Sequence, residues 1–187
     1  FEKMEVSKIR RQVDLTGENF NRINFEEAEI IELHLSDKLS DSIEFEIWGT
    51  RLLMDDFWEH DKTFLHGVSH SDDYYVAGIG KIKIQQVIGI DMSFFPYAKM
   101  EDSYKFLRDE TGKLVEESRI IGILKGSENY LWECVVICPH GFCRLNIYAD
   151  GKVEYEFDDI NMITEREFLK NPAKYAYHIS NVQRLNL

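Results

Sequence analysis

Two-residue alternation is the feature that most limits what this chain can fold into. Val153, Tyr155 and Phe157 alternate with Lys152, Glu154 and Glu156. Ile43, Phe45 and Ile47 alternate with Glu44, Glu46 and Trp48, and Ile82 and Ile84 with Lys81, Lys83 and Gln85. Successive side chains of a strand point to opposite faces, so each run buries one face and wets the other. Twelve Phe, nine Tyr and three Trp agree with this, because flat rings fit a pleated surface. Further strands are predicted at Ile120–Leu124, Tyr130–Cys138, Phe142–Tyr148 and along Ile88, Ile90, Met92 and Phe94. Ile31, Leu33 and Leu35 precede the polar turn Ser36–Asp41, which predicts a hairpin with the Ile43–Ile47 strand. Asp150-Gly151 predicts a type I′ turn between the last two strands. Gly78, Gly80 and Gly89 predict bulges or a tight bend.

Helix signals gather at the C-terminus. Thr164 and Glu167 have capping-box spacing, and Asn171-Pro172 reads as a second helix start. Tyr175, Ile179 and Val182 would share a face of that second helix. A short helix is expected over Glu101–Arg108 and a long polar loop over Asp55–Asp73. Leu15, Phe20, Phe25 and Ile30 recur every five residues and hint at a pentapeptide coil. No Gly/Ser-rich or Pro-rich linker interrupts the chain. The expectation is one α+β domain over residues 1–187. It would be a mainly antiparallel β-sheet, as a sandwich or partly closed barrel, with C-terminal helices.

The formal net charge is -12. Such a surface repels phosphate backbones and anionic lipid, so neither nucleic acid nor membrane is an expected partner, whereas a basic protein is. No apolar run approaches the roughly 20 residues that span a bilayer. The opening Phe1-Glu2-Lys3-Met4 is no signal peptide, and Cys134, Cys138 and Cys143 make an odd count in a chain of this size. Both features point to a reducing, cytoplasmic setting.

Cys134, Cys138, His140 and Cys143 could in principle supply a tetrahedral zinc site, but their spacing lacks paired C-x-x-C knuckles. Buried thiols in a strand account for them as well. His60, His66 and His70 lie among Asp55, Asp56, Glu59, Asp61, Asp72 and Asp73. They are the candidate ligands of a metal-dependent hydrolase, the alternative to a binding role. Phosphate-loop, dinucleotide, nucleophile-elbow and zincin motifs are all missing, so no cofactor is expected. A third reading, a small-ligand carrier, would place a cavity among the aromatic rings. The leading expectation is a non-catalytic protein-binding module. Glu44 and Glu46, then Glu154, Glu156 and Asp158, take outward strand positions. If their strands lie near one another, they form an anionic face for a basic partner, with Trp48 or Trp58 as the apolar anchor.

The stretch Phe25-Glu26-Glu27-Ala28-Glu29-Ile30, followed by Leu33, Leu35 and the Ile43–Ile47 strand, resembles the opening of some small bacterial immunity proteins of polymorphic toxin systems. Those often begin with an aromatic or Leu, then His-Asp-Ala, then an alternating hairpin. Here Glu26 and Glu27 stand in the His-Asp positions. The likeness covers Phe25 to Trp48. It implies a cytoplasmic inhibitor of one cognate toxin domain and carries over no contact residue.

Overall fold

The computed structural model describes residues 10–54, 72–99, 104–126 and 128–177. Its strands run in order as β1 (Arg10–Asp14), β2 (Ile23–Asn24), β3 (Glu29–Glu32), β4 (Ser42–Trp48), β5 (Arg51–Leu52), β6 (Tyr74–Val76) and β7 (Ile79–Gln85). They continue as β8 (Val87–Lys99), β9 (Tyr104–Phe106), β10 (Glu117–Gly122), β11 (Glu128–Cys138), β12 (Gly141–Ala149), β13 (Val153–Asp158) and β14 (Met162–Thr164). The α-helix α1 (Glu165–Lys170) follows. The protein is thus mostly β-sheet with a short C-terminal helix.

Strands assemble in the order β1-β13-β7-β4-β3-β11-β12-β8-β10, with β9 also on β8. Every pairing in this sheet is antiparallel except β3 with β11. β7 and β8 lie five places apart, yet Gln86 alone joins them; β12 and β13 are equally far apart and joined by Asp150–Lys152. Five places in a flat sheet span about 24 Å. A one-residue link reaches only about 7 Å. The sheet therefore folds over on itself between a first half (β1, β13, β7, β4, β3) and a second (β11, β12, β8, β10). Gln86 takes a left-handed conformation at the link (φ 51), and its carbonyl accepts a 3.0 Å hydrogen bond from the Asp150 amide. The end strands β1 and β10 do not pair with each other, so the sheet is not a closed barrel.

Both halves turn their apolar parity inward onto one core. Phe45 and Ile47 of β4, Ile82 and Ile84 of β7, and Val153, Tyr155 and Phe157 of β13 are buried opposite Tyr130, Trp132, Leu145, Ile147 and Met92. Edge-to-face rings lock the centre: Trp132 lies 5.2 Å from Phe45 and 5.1 Å from Phe20. A second sheet, β14-β6-β5-β2, caps the first half. Tyr155 reaches towards it and hydrogen-bonds Thr50 at 2.5 Å, both residues being buried. On its other side Tyr75 stacks on Phe168 of α1. The Thr164 hydroxyl accepts from the Glu167 amide at 3.2 Å, which is the Thr164 half of the capping box expected there; the Glu167 carboxylate instead accepts from Lys170.

Several expectations are corrected. Asp150-Gly151 is no hairpin turn, because β12 and β13 pair with other strands and Gly151 lacks positive φ. Glu101–Arg108 is not helical where described: Tyr104–Phe106 pairs with β8, whose long strand offers a free edge there. Asn171-Pro172 opens a 3-10 turn, Pro172–Tyr175, in place of an α-helix, and Ile179 and Val182 lie outside the described residues. Gly80 serves close approach, since a Cβ there would run into the Tyr155 ring; the bulge falls beside Gly89, where register shifts between Tyr148 and Ala149. Leu15, Phe25 and Ile30 are all buried, but they sit in loop and strand, with Phe20 in a 3-10 turn, so no pentapeptide coil exists. The β3–β4 hairpin forms; within β3 Ile30 is inside in place of the expected Ile31, while Leu33 and Leu35 of the expected face pack against the core.

Candidate interaction face

On the outward side of the first half, register places charged residues directly opposite one another. One row across β4, β7, β13 and β1 reads Glu44, Lys83, Glu154, Asp14, and the next reads Glu46, Lys81, Glu156, Gln12. Beyond them Asp158 faces Arg10. The two acidic pairs thus share a face, as expected. The sequence reading missed what lies between them: β7 inserts Lys81 and Lys83. The alternation of Lys81 and Lys83 was legible, but their neighbours were not, since parity names a face and not a partner strand.

Glu44 sits 3.8 Å from Lys83 and 4.0 Å from Lys81, and Arg10 lies 3.1 Å from Glu156. These pairs are well exposed, so each contributes at most about 1 kcal/mol to stability. Glu46, Glu154 and Asp158 make no ion pair among the described residues. Six carboxylates (Asp14, Glu44, Glu46, Glu154, Glu156, Asp158) therefore meet three cations (Arg10, Lys81, Lys83) on this face.

Trp48 ends β4 on the same face, half-buried beneath the chain's own C-terminal segment. Its indole N–H donates to the Tyr175 carbonyl at 2.6 Å, and its ring centre is 5.2 Å from that of Tyr177. Glu29, opposite it on β3, accepts from the Tyr177 amide at 2.8 Å and is buried. Of the two roles open to Trp48, partner anchor and cover for another layer of the fold, these contacts describe the second. Burial, with the Glu29 charge next, pushes the nearby Tyr75 hydroxyl well above its ordinary range.

Cys134 and Cys143 stand opposite each other on β11 and β12, both buried, while Cys138 is exposed at the strand end. Burial raises the Cys143 thiol from 9.0 to about 12, and burial with the neighbouring Cys143 raises Cys134 as well. His140 is half-buried in the β11–β12 turn, its ring 5.1 Å from Tyr97. Among the described residues no three His, Cys, Asp or Glu side chains gather as a metal site would require. His60, His66, His70 and Trp58 lie outside the described residues. The core aromatics pack ring on ring, and a cleft of about 470 Å³ opens beside Phe20 and Phe25.

Among the described residues no helix is long and apolar enough to cross a membrane. No family model, no curated protein and no solved structure matches this chain.

Proposed function

We propose that this chain is a non-catalytic protein-binding module that docks a basic protein on the outward face of β4, β7, β13 and β1. The observation that carries the reading is the set of carboxylates on this face, Glu46, Glu154 and Asp158, that no ion pair engages among the described residues. A partner's Lys and Arg side chains would neutralise them, extending the cross-strand rows. Opposed potentials chiefly quicken encounter, and the net charge of -12 adds a long-range field of the same sign. The resemblance over Phe25–Trp48 makes a toxin domain encoded beside this chain the first partner to test.

The test is co-expression with the product of the neighbouring gene, followed by association kinetics at low and high salt. Glu46→Lys combined with Glu154→Lys is expected to slow association about tenfold or more at low salt. The difference should shrink at high salt, where exposed charges are screened. A complex equally fast with both reversals would remove this face from consideration.

A further inference from the structure

β11 is paired unequally on its two sides. Toward β12 its register is continuous from Glu128 to Val136, but toward β3 it pairs only at Val135, Val136 and Cys138. Before that point the described residues place no strand against it. Local chemistry explains the gap. The Asn24 side chain accepts from the Glu26 amide at 2.8 Å, Glu27 turns the chain with φ 67, and the backbone joins the sheet only at Glu29. Beside the edge that the described residues leave open lies the cleft of about 470 Å³. Its lining includes Phe20, Ile23, Phe25 and Leu131, with the exposed carboxylates Glu26 and Glu133. Ile23 belongs to β2, the last strand of the four-stranded sheet, so the cleft separates two strand edges.

Edges of this kind are templates for a further strand, because their N–H and C=O groups point outward unpaired. We propose that the cleft receives an extended segment of a basic protein partner, which adds to β11 along Leu131–Glu133. This rests on the binding-module reading above. The occupant's chemistry follows from the lining. In a strand, alternate side chains go to opposite sides. One set would be aliphatic, packing on Phe20 and Phe25, and the other Lys or Arg, facing Glu26 and Glu133. Main-chain bonds would supply affinity, and the alternating side chains specificity. Glu133 already pairs with Arg144 at 3.0 Å, so the incoming cation competes for a half-exposed carboxylate.

The probe is a synthetic hexapeptide alternating leucine and lysine, titrated into the full chain while the amide resonances of Leu131 and Glu133 are followed. Binding with shifts at those amides is expected. N-methylation of alternate peptide nitrogens should weaken it about tenfold or more, the equivalent of one lost hydrogen bond. Glutamate in place of lysine should abolish it, and Glu26→Lys with Glu133→Lys should weaken it about tenfold. No binding, equal binding of the N-methylated peptide, or binding that leaves both amides unmoved would overturn the proposal. The two ideas fail separately, since the peptide titration reads β11 and the partner kinetics read charge reversals on β4 and β13.

Discussion

The two halves of the folded sheet meet the same demand inside and differ outside. Inward, β7 and β13 present Ile82, Ile84, Tyr155 and Phe157, and β11 and β12 present Trp132, Leu145 and Ile147; all are essentially dry. Outward, the first half carries rows of carboxylates broken by Lys81 and Lys83. The second half carries the row Ile120, Asp91, Asn146, Leu131, with Ile120 66% and Leu131 39% exposed. There Asn129 donates to the Asn146 side chain, and Asn146 to the Tyr148 hydroxyl, in a short chain of amides. The inner faces converge because one core must fill without voids. The outer faces carry no such demand and are free to diverge.

Steric probes of the two halves should give the largest effects. A Cβ on Gly89 in β8 would run into the Ile123 backbone carbonyl, and one on Gly80 in β7 into the Tyr155 ring. Both substitutions to Ala should destabilise, by about 2–3 kcal/mol for Gly89→Ala and about 1–2 kcal/mol for Gly80→Ala in urea unfolding. The order follows because a side chain can shift more cheaply than a backbone already bonded at Ile123 N–H to Ile88. The reverse order would mean that the first half is the tighter one.

A smaller effect tests how the first half holds the second sheet. Tyr155→Phe leaves the buried Thr50 hydroxyl without its partner and should cost about 1–2 kcal/mol. Adding Thr50→Val should recover part of that loss, and a strictly additive double variant would show that the bond couples nothing.

The thiols sharpen the same contrast from the second half. At mildly alkaline pH, Cys138 should react promptly with a disulfide reagent, while Cys134 and Cys143 should react only on unfolding. The fold keeps the Cys143 proton up to about 12, whereas the unfolded chain gives it up near 9.0. Stability from this thiol is therefore full below about 9 and falls as pH rises towards 12. A Cys143→Ala variant should lose stability less steeply across that window than the parent, the remaining fall coming from Cys134 and Tyr75, whose protons burial also holds. Equal slopes would show that Cys143 contributes nothing.

The smallest effect is expected on the outer face. Glu44→Gln loosens contacts with Lys81 and Lys83 that are close to half exposed, and should change stability by less than about 0.5 kcal/mol. A larger loss would make the charged rows a structural device, not a surface held ready for a partner.

What the sequence by itself determined is the strand positions and their inward parity. The runs at Ile43–Ile47, Ile82–Ile84, Tyr130–Cys138, Phe142–Tyr148 and Val153–Phe157 all became strands, and Phe45, Ile47, Ile82, Ile84, Val153, Tyr155 and Phe157 are buried on the expected faces. The Thr164 cap was legible too, because its bond spans three residues. These are local properties: i, i+2 alternation and a single helical turn need no distant partner to be specified. Tertiary structure alone decided which strands are neighbours. It set Lys81 and Lys83 between the acidic pairs, Cys143 opposite Cys134, the C-terminal segment over Trp48, and the open edge of β11 beside Phe20 and Phe25. The physical reason is that pairing is a competition among many apolar edges of similar hydrophobicity. It is settled by how the whole sheet folds over one core, and alternation along a strand carries no mark of the strand it will meet.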